Sequence, residues 1–199
     1  MITALLPLML AALSAHAASP PDLYQASYEL ESAQDYQGSL ARLEQLPSTQ
    51  HDYVFHLRSA WLLYLLARYD ASAAAYAAAV QAEPTSVEAR QGLVLPLMAL
   101  ERWDEARQAC EALLALAPDD YRGRSRLAWV LYNSGRYEDA AKRYADVLVH
   151  YPSDVEMRAG LGWSLLKLGR VTEAQAEFAR VLRFAPSHVS AKEGMEASR

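Results

Sequence analysis

Apolar positions between Tyr121 and Pro152 fall at helical spacing in two runs. Leu127, Ala128 and Leu131 mark the first, Ala140, Tyr144 and Val147 the second, and Asn133-Ser134-Gly135-Arg136 separates them. Recurrence at three- and four-residue intervals is the signature of an amphipathic helix, so this stretch predicts a helical hairpin. Its neighbours copy it. Pro84, Pro118, Pro152 and Pro186 stand 34 residues apart, as do Tyr69, Trp103, Tyr137 and Val171, and Ser72, Ala106, Ala140 and Ala174. Three registers in phase at one period indicate a repeat architecture, in which each hairpin buries its apolar face against the next.

The period divides the chain into full units at 53–86, 87–120, 121–154 and 155–188. Small residues at Ala106, Ala140 and Ala174 allow the second helix of a unit to approach the first, and Leu93, Leu127 and Leu161 fill the seam. Gly135 and Gly169 follow the first helix, where a left-handed residue closes it most easily. Upstream, Leu23, Leu30, Tyr36, Leu40, Leu43 and Pro47 outline a divergent helical repeat over 18–52, expected to cap the stack. Downstream, 189–199 repeats the start of a first helix and stops, the form expected of a terminal capping helix.

Helical hairpins with this period, an aromatic after the turn, small residues in the second helix and a closing proline resemble the tetratricopeptide repeat. The Leu-Gly pair of that family stands here as Leu161-Gly162, Leu127-Ala128 and Leu93-Val94, and degenerates to Ser59-Ala60. The family's usual early Trp is replaced by His56, Arg90, Arg124 and Arg158, a substitution expected to be tolerated near the surface. The resemblance implies an all-α fold, a right-handed α-solenoid of helical hairpins.

Composition removes several alternatives. Hydrophobic residues make up 52%, with only 8 Gly and 9 Pro, which favours helix over disorder. A net charge of −5 gives no electrostatic footprint for nucleic acid. Cys110 is the only cysteine, so no internal disulfide is available, and its place in a helical pattern predicts a small buried hydrophobe. Residues 1–17 carry an apolar run from Ile2 to Leu13 followed by Ala15-His16-Ala17, the form of a secretory signal cleaved after Ala17. The expected location is therefore periplasmic or secreted, with no stable membrane span once the signal is removed.

Catalytic chemistry is not expected. His51, His56, His150 and His188 lack the spacing of a zinc site, and no Gly-rich phosphate loop or nucleophile motif is present. Asp119-Asp120 and Glu138-Asp139 stand at helix starts, where the helix dipole favours negative charge. No cofactor, metal or catalytic residue is assigned.

The resemblance implies that the first helices line a concave groove, and it supplies the groove register. One register reads Trp61, Leu95, Trp129 and Trp163; the next turn reads Tyr64, Met98, Tyr132 and Leu166. Arg58 and Arg126 alternate with Gly92 and Gly160, and Arg122 precedes Arg126 by one turn. The partner-binding candidates are Arg58, Trp61, Tyr64, Leu95, Met98, Arg122, Arg126, Trp129, Tyr132 and Trp163. Rigid aromatics flanked by guanidinium groups suit a protein or peptide, or alternatively a glycan. The Lys and Asn with which some family members clamp a peptide carboxylate are missing: Leu57, Gln91, Ser125 and Ala159 stand at one of those registers. Pro96 within a first helix predicts a kink that widens the groove near Leu95 and Met98. The expected role is a non-enzymatic scaffold or adaptor of the bacterial cell envelope, with a carbohydrate-associated module of a secretion system as the alternative.

Overall fold

The computed structural model describes residues 18–199, and the expected signal at 1–17 lies outside them. The described residues form eleven α-helices and a 3-10 turn at Ser48–Gln50, with no strand among them. Chain contacts divide at Leu46/Pro47 into two units, ahead of the repeat border expected at Asp52/Tyr53.

The first unit is a hairpin of α1 (Pro20–Ser32) and α2 (Tyr36–Leu43). Pro20 and Pro21 occupy the first turn of α1, where a missing N–H costs nothing, and the Asp22 carboxylate accepts from the Ser19 N–H at 3.0 Å. Leu23, Leu40 and Leu43 are buried between the helices. Where they cross, the Ser39 hydroxyl donates to the Ser27 carbonyl at 2.7 Å, which satisfies a polar group that is fully enclosed.

The second unit is an all-α solenoid. Its helices are α3 (Tyr53–Leu65), α4 (Tyr69–Ala82), α5 (Val87–Ala99), α6 (Trp103–Leu116), α7 (Tyr121–Asn133), α8 (Tyr137–His150), α9 (Val155–Lys167), α10 (Val171–Phe184) and α11 (Val189–Ala197). Each packs on the next in the chain, and α3, α5, α7, α9 and α11 also touch in sequence, so the first helices of the hairpins lie side by side. Ser72, Ala106, Ala140 and Ala174 have no exposed surface, as close helix approach requires. The Ser72 hydroxyl donates to the Ala60 carbonyl at 2.8 Å, the same bond across the same interval as Ser39 to Ser27.

Each hairpin turn is closed by one left-handed residue. Gly135 and Gly169 have φ of 78° and 75°, and Ala67 and Glu101 hold the same place at 55°. The next N–H returns to the first helix, Arg68 to Leu63, Arg102 to Leu97, Arg136 to Leu131 and Arg170 to Leu165, each at 2.9 Å. These are the six-residue closures of a Schellman motif. Gln34, with φ of 62°, closes the α1–α2 hairpin in the same way, Asp35 N–H meeting the Leu30 carbonyl at 2.8 Å.

First helices begin on side-chain caps: Asp52, Ser86, Asp120, Asp154 and His188 accept N–H groups of the following turn. Within the stack every later cap is held by the preceding first helix. Tyr53 meets Ser86 at 2.8 Å, Gln91 donates to Asp120 at 2.6 Å, Tyr121 donates to Asp154, and His188 meets Glu156 at 3.1 Å.

One expectation about first helices needs revision. The arginines in place of the family Trp are not merely tolerated at the surface. Arg90, Arg124 and Arg158 are half-buried and each donates to the carbonyl of the preceding unit's proline, Pro84, Pro118 and Pro152, at 2.7 Å. A guanidinium thus satisfies a carbonyl left over after the second helix ends. At Pro96, α5 continues without interruption to Ala99 and the ring is buried. Pro96 removes the N–H that would bond the Gly92 carbonyl, yet leaves the helix the same 13 residues as α3, α7 and α9.

Candidate functional site

The face made by α3, α5, α7, α9 and α11 is shaped by how side chains from the second helices reach it. Tyr76, Cys110, Tyr144 and Phe178 occupy one register of α4, α6, α8 and α10, and all four are buried. Each meets one residue of the following first helix. Opposite Tyr76, Tyr144 and Phe178 stand Gly92, Gly160 and Gly194, where an added Cβ would lie 2.1 Å, 2.4 Å and 2.3 Å from the ring. Opposite the small Cys110 stands Arg126, half-buried. Large meets glycine and small meets arginine, so the filled volume is kept while the chemistry at the face changes.

Two openings result. The first, of about 290 Å³, lies between α3, α5 and α7 and is lined by Trp61, Tyr76, Gln91, Leu95, Arg122 and Arg126, with Leu57, Glu88 and Gly92. The second, of about 390 Å³, lies between α7, α9 and α11. Trp129, Tyr132 and Trp163 form its aromatic side, Tyr144 its base beside Gly160, and Glu156, Ser190 and Glu193 its polar edge.

Burial sets the protonation chemistry of these walls. It pushes the Tyr76 phenol up to about 12 and the Tyr144 phenol higher still, so both are neutral hydroxyls at physiological pH. It also pushes the Cys110 thiol up to about 12, against the nearby Arg126 charge, which leaves a protonated and inert sulfhydryl as expected for a small core residue. For Arg126 burial lowers the pKa, and the adjacent Arg122 charge acts in the same direction. Its guanidinium is steadied by donating to the Gln91 carbonyl at 2.8 Å.

Seven of the ten sequence candidates line these openings: Trp61, Leu95, Arg122 and Arg126 the first, Trp129, Tyr132 and Trp163 the second. Three do not. Arg58 is only 8% exposed and belongs to the interior. Tyr64 is held between the rings of Trp61 and Tyr69, at centroid distances of 5.9 Å and 5.6 Å. Met98 packs inward on the clusters around Cys110 and Ala106. Tryptophans of one register also differ in use. Trp129 is 40% exposed and rests edge-on against Trp103, whereas Trp163 donates from Nε1 to Ser190 at 2.8 Å and packs edge-on against Phe178.

Sequence reasoning missed Tyr76 and Tyr144 as parts of this face because they belong to second helices. The signal was present in paired registers, with Gly92 and Gly160 each following a tyrosine by the interval that separates Cys110 from Arg126. Among the described residues no group of His, Cys, Asp and Glu could hold a metal ion, and no helix is long and apolar enough to cross a membrane.

Two family models, both described as tetratricopeptide repeat, match residues 63–130 and 125–189 and together cover most of the chain. No curated protein sequence matches significantly. Among solved structures, MamA from Desulfovibrio magneticus superimposes with a TM-score of 0.77 at 16% identity, covering 84% of this chain and 95% of that one. YrrB, described as a TPR protein with an unusual peptide-binding site, gives 0.76 at 16% identity over 88% and 91%. A tetratricopeptide repeat protein from Parabacteroides merdae gives 0.82 at 14% identity over 89% and 71%. At such identities the likeness is one of fold.

Proposed function

The chain belongs to the tetratricopeptide repeat family, and from that premise we propose that it is a non-enzymatic adaptor of the bacterial cell envelope, holding an extended segment of a partner protein in the groove of its first helices. The observation that carries this reading is the pair of openings along that face, walled by exposed Trp61 and Trp129 and by Arg122. Large rigid aromatics give contact area at low entropic cost, and exposed guanidinium groups give polar anchors. YrrB, which shares the fold, is described as having a peptide-binding site. The apolar run closed by Ala15-His16-Ala17 supports the envelope assignment.

A peptide fits this face better than a glycan. Sugar stacking needs several open, flat aromatic faces, whereas Trp163 packs at 69° on Phe178 with its indole N–H engaged by Ser190 and Tyr64 is held between Trp61 and Tyr69. The test is a photo-crosslinking amino acid placed at Trp129 in cells of the native host. A discrete protein adduct formed there, and not from exposed Ala145 on α8, supports the adaptor reading. Equal labelling from both sites, or adducts with polysaccharide alone, overturns it. Fractionation of the same cells checks the location: the envelope assignment requires a chain shortened after Ala17 in the periplasmic or secreted fraction, and an unprocessed cytoplasmic chain would refute it.

A further inference from the structure

Several arginines in the second unit are matched by carboxylates: Arg102 with Glu105, Arg107 with Glu111, Arg124 with Asp119, Arg136 with Asp139, Arg158 with Glu177 and Arg170 with Glu173. Arg122 and Arg126 are not among them. They lie one turn apart on α7, both line the first opening, and neither forms an ion pair with a described carboxylate. Two neighbouring cations raise each other's cost, and burial of Arg126 adds to it. Glu88 lines the same opening, with the Tyr53 hydroxyl 3.5 Å from its carboxylate. Asp120 lies nearby, but one of its oxygens caps the Gly123 N–H and the other accepts from Gln91. Its charge serves the positive N-terminus of α7 and also favours the nearby Arg126 cation. Of the charged side chains that line the first opening, Arg122 and Arg126 are cationic and Glu88 alone is anionic, so the lining keeps a net positive charge.

The second opening has the reverse character. Glu156 and Glu193 line it, and no Lys or Arg does. Glu193 is exposed and ion-pairs with no described cation. Glu156 meets His188 Nε2 at 3.1 Å, but His188 Nδ1 accepts the Ala191 N–H at 3.1 Å, which is the behaviour of the neutral ring. Asp154, at the start of the same α9, is used up by its own helix N-terminus and by Tyr121. The exposed Trp129 lines the second opening from α7, the helix that also carries Arg122 and Arg126 of the first.

We propose that this face selects a peptide with segregated charge: an acidic side chain against Arg122 and Arg126, an apolar or aromatic stretch across Trp129, and a basic side chain against Glu156 and Glu193. The inference rests on the peptide-groove reading and deepens it. Arg122 and Arg126 stand on α7, Glu156 on α9 and Glu193 on α11, one to two helix spacings away, about 8–20 Å at ordinary interaxial distances. At about 3.3 Å per residue of extended chain, the acidic and basic side chains stand about three to six residues apart. Complementary charge then fixes register and direction, and apolar contact supplies most of the affinity.

The experiment measures fluorescence anisotropy of the full chain with dye-labelled synthetic peptides of about 12 residues and one shared composition of Glu, Lys, Leu, Trp and Ser. One has Glu toward its N-terminus and Lys toward its C-terminus, one has the reverse order, and one has the charges interleaved. One segregated peptide is expected to bind about tenfold or more tighter than the interleaved one, which corresponds to roughly 1.4 kcal/mol. That preference shrinks at high salt and is lost in Arg122→Glu, while Trp129→Ala weakens every peptide alike. Binding that depends on Trp129 but ignores charge order overturns the charge inference and leaves the peptide groove standing. Absence of any Trp129-dependent binding overturns both.

Discussion

Gly160 exists to admit Tyr144: a Cβ built on it would lie 2.4 Å from the Tyr144 Cζ, closer than real Cβ contacts come. Alanine normally strengthens a helix relative to glycine by about 1 kcal/mol, but here the ring must shift within a filled core. Gly160→Ala is expected to destabilise the protein by about 1–3 kcal/mol. Pairing it with Tyr144→Cys reproduces the small residue found at Cys110 and relieves the clash. A double-mutant cycle by urea unfolding should show coupling above about 1 kcal/mol. Simple additivity would mean that the two positions do not share this space.

Arg124 is expected to contribute through geometry that lysine cannot copy. Its guanidinium spans the Pro118 carbonyl at 2.7 Å and the Asp119 carboxylate at 2.6 Å, with the side chain only 22% exposed. Arg124→Lys should lose the fork and cost about 1 kcal/mol, and Arg124→Ala somewhat more. Thermal unfolding checks this, and no loss in the lysine variant would show that charge alone suffices.

The hairpin turns offer a gain in stability. Glu101 and Ala67 hold φ of 55° where the later units use Gly135 and Gly169. A side chain in the left-handed region is strained, so Glu101→Gly should stabilise by up to about 1 kcal/mol after the added unfolded-state entropy of glycine. Gly135→Ala should cost a similar amount, although nothing lies within 4 Å of a Cβ there. Denaturation midpoints of the two variants should move in opposite directions.

Trp163 and Trp129 separate stability from recognition. Trp163 packs on Phe178 and bonds Ser190, so Trp163→Ala should cost about 3 kcal/mol. Trp129 is 40% exposed, and Trp129→Ala should cost about 1 kcal/mol or less. Equal losses in chemical denaturation would mean that Trp129 is also a core residue and a poor probe of the groove.

Alkaline pH should weaken the fold in a defined window. Tyr76, by burial, and Tyr121, by its hydrogen bond to Asp154, are raised from 10.0 to about 12. A raised acid favours its protonated form in the native state. Its stabilising contribution is therefore complete below about pH 10 and is lost as pH rises towards 12. Stability measured between those limits should fall with pH, and Tyr121→Phe should make the fall shallower. Cys110, raised from 9.0 to about 12, should react with thiol reagents only after unfolding.

The period of 34 and the phase of Pro84, Pro118, Pro152 and Pro186 determined the hairpins, their order and the family, because local helix periodicity and repeat spacing are written directly in residue order. They also placed Ala106, Ala140 and Ala174 in the core and Gly135 and Gly169 at turns, where backbone conformation constrains residue type. What each groove candidate does was decided by packing between units. One register yields exposed Trp129 and anchored Trp163, because only the latter has Phe178 and Ser190 beside it. Another yields the enclosed Arg58 and the half-buried Arg126, the latter standing where Cys110 leaves room. Such differences depend on side-chain volumes across a helix interface. They therefore emerged only when Tyr76, Cys110, Tyr144 and Phe178 were seen against the first helices that follow them.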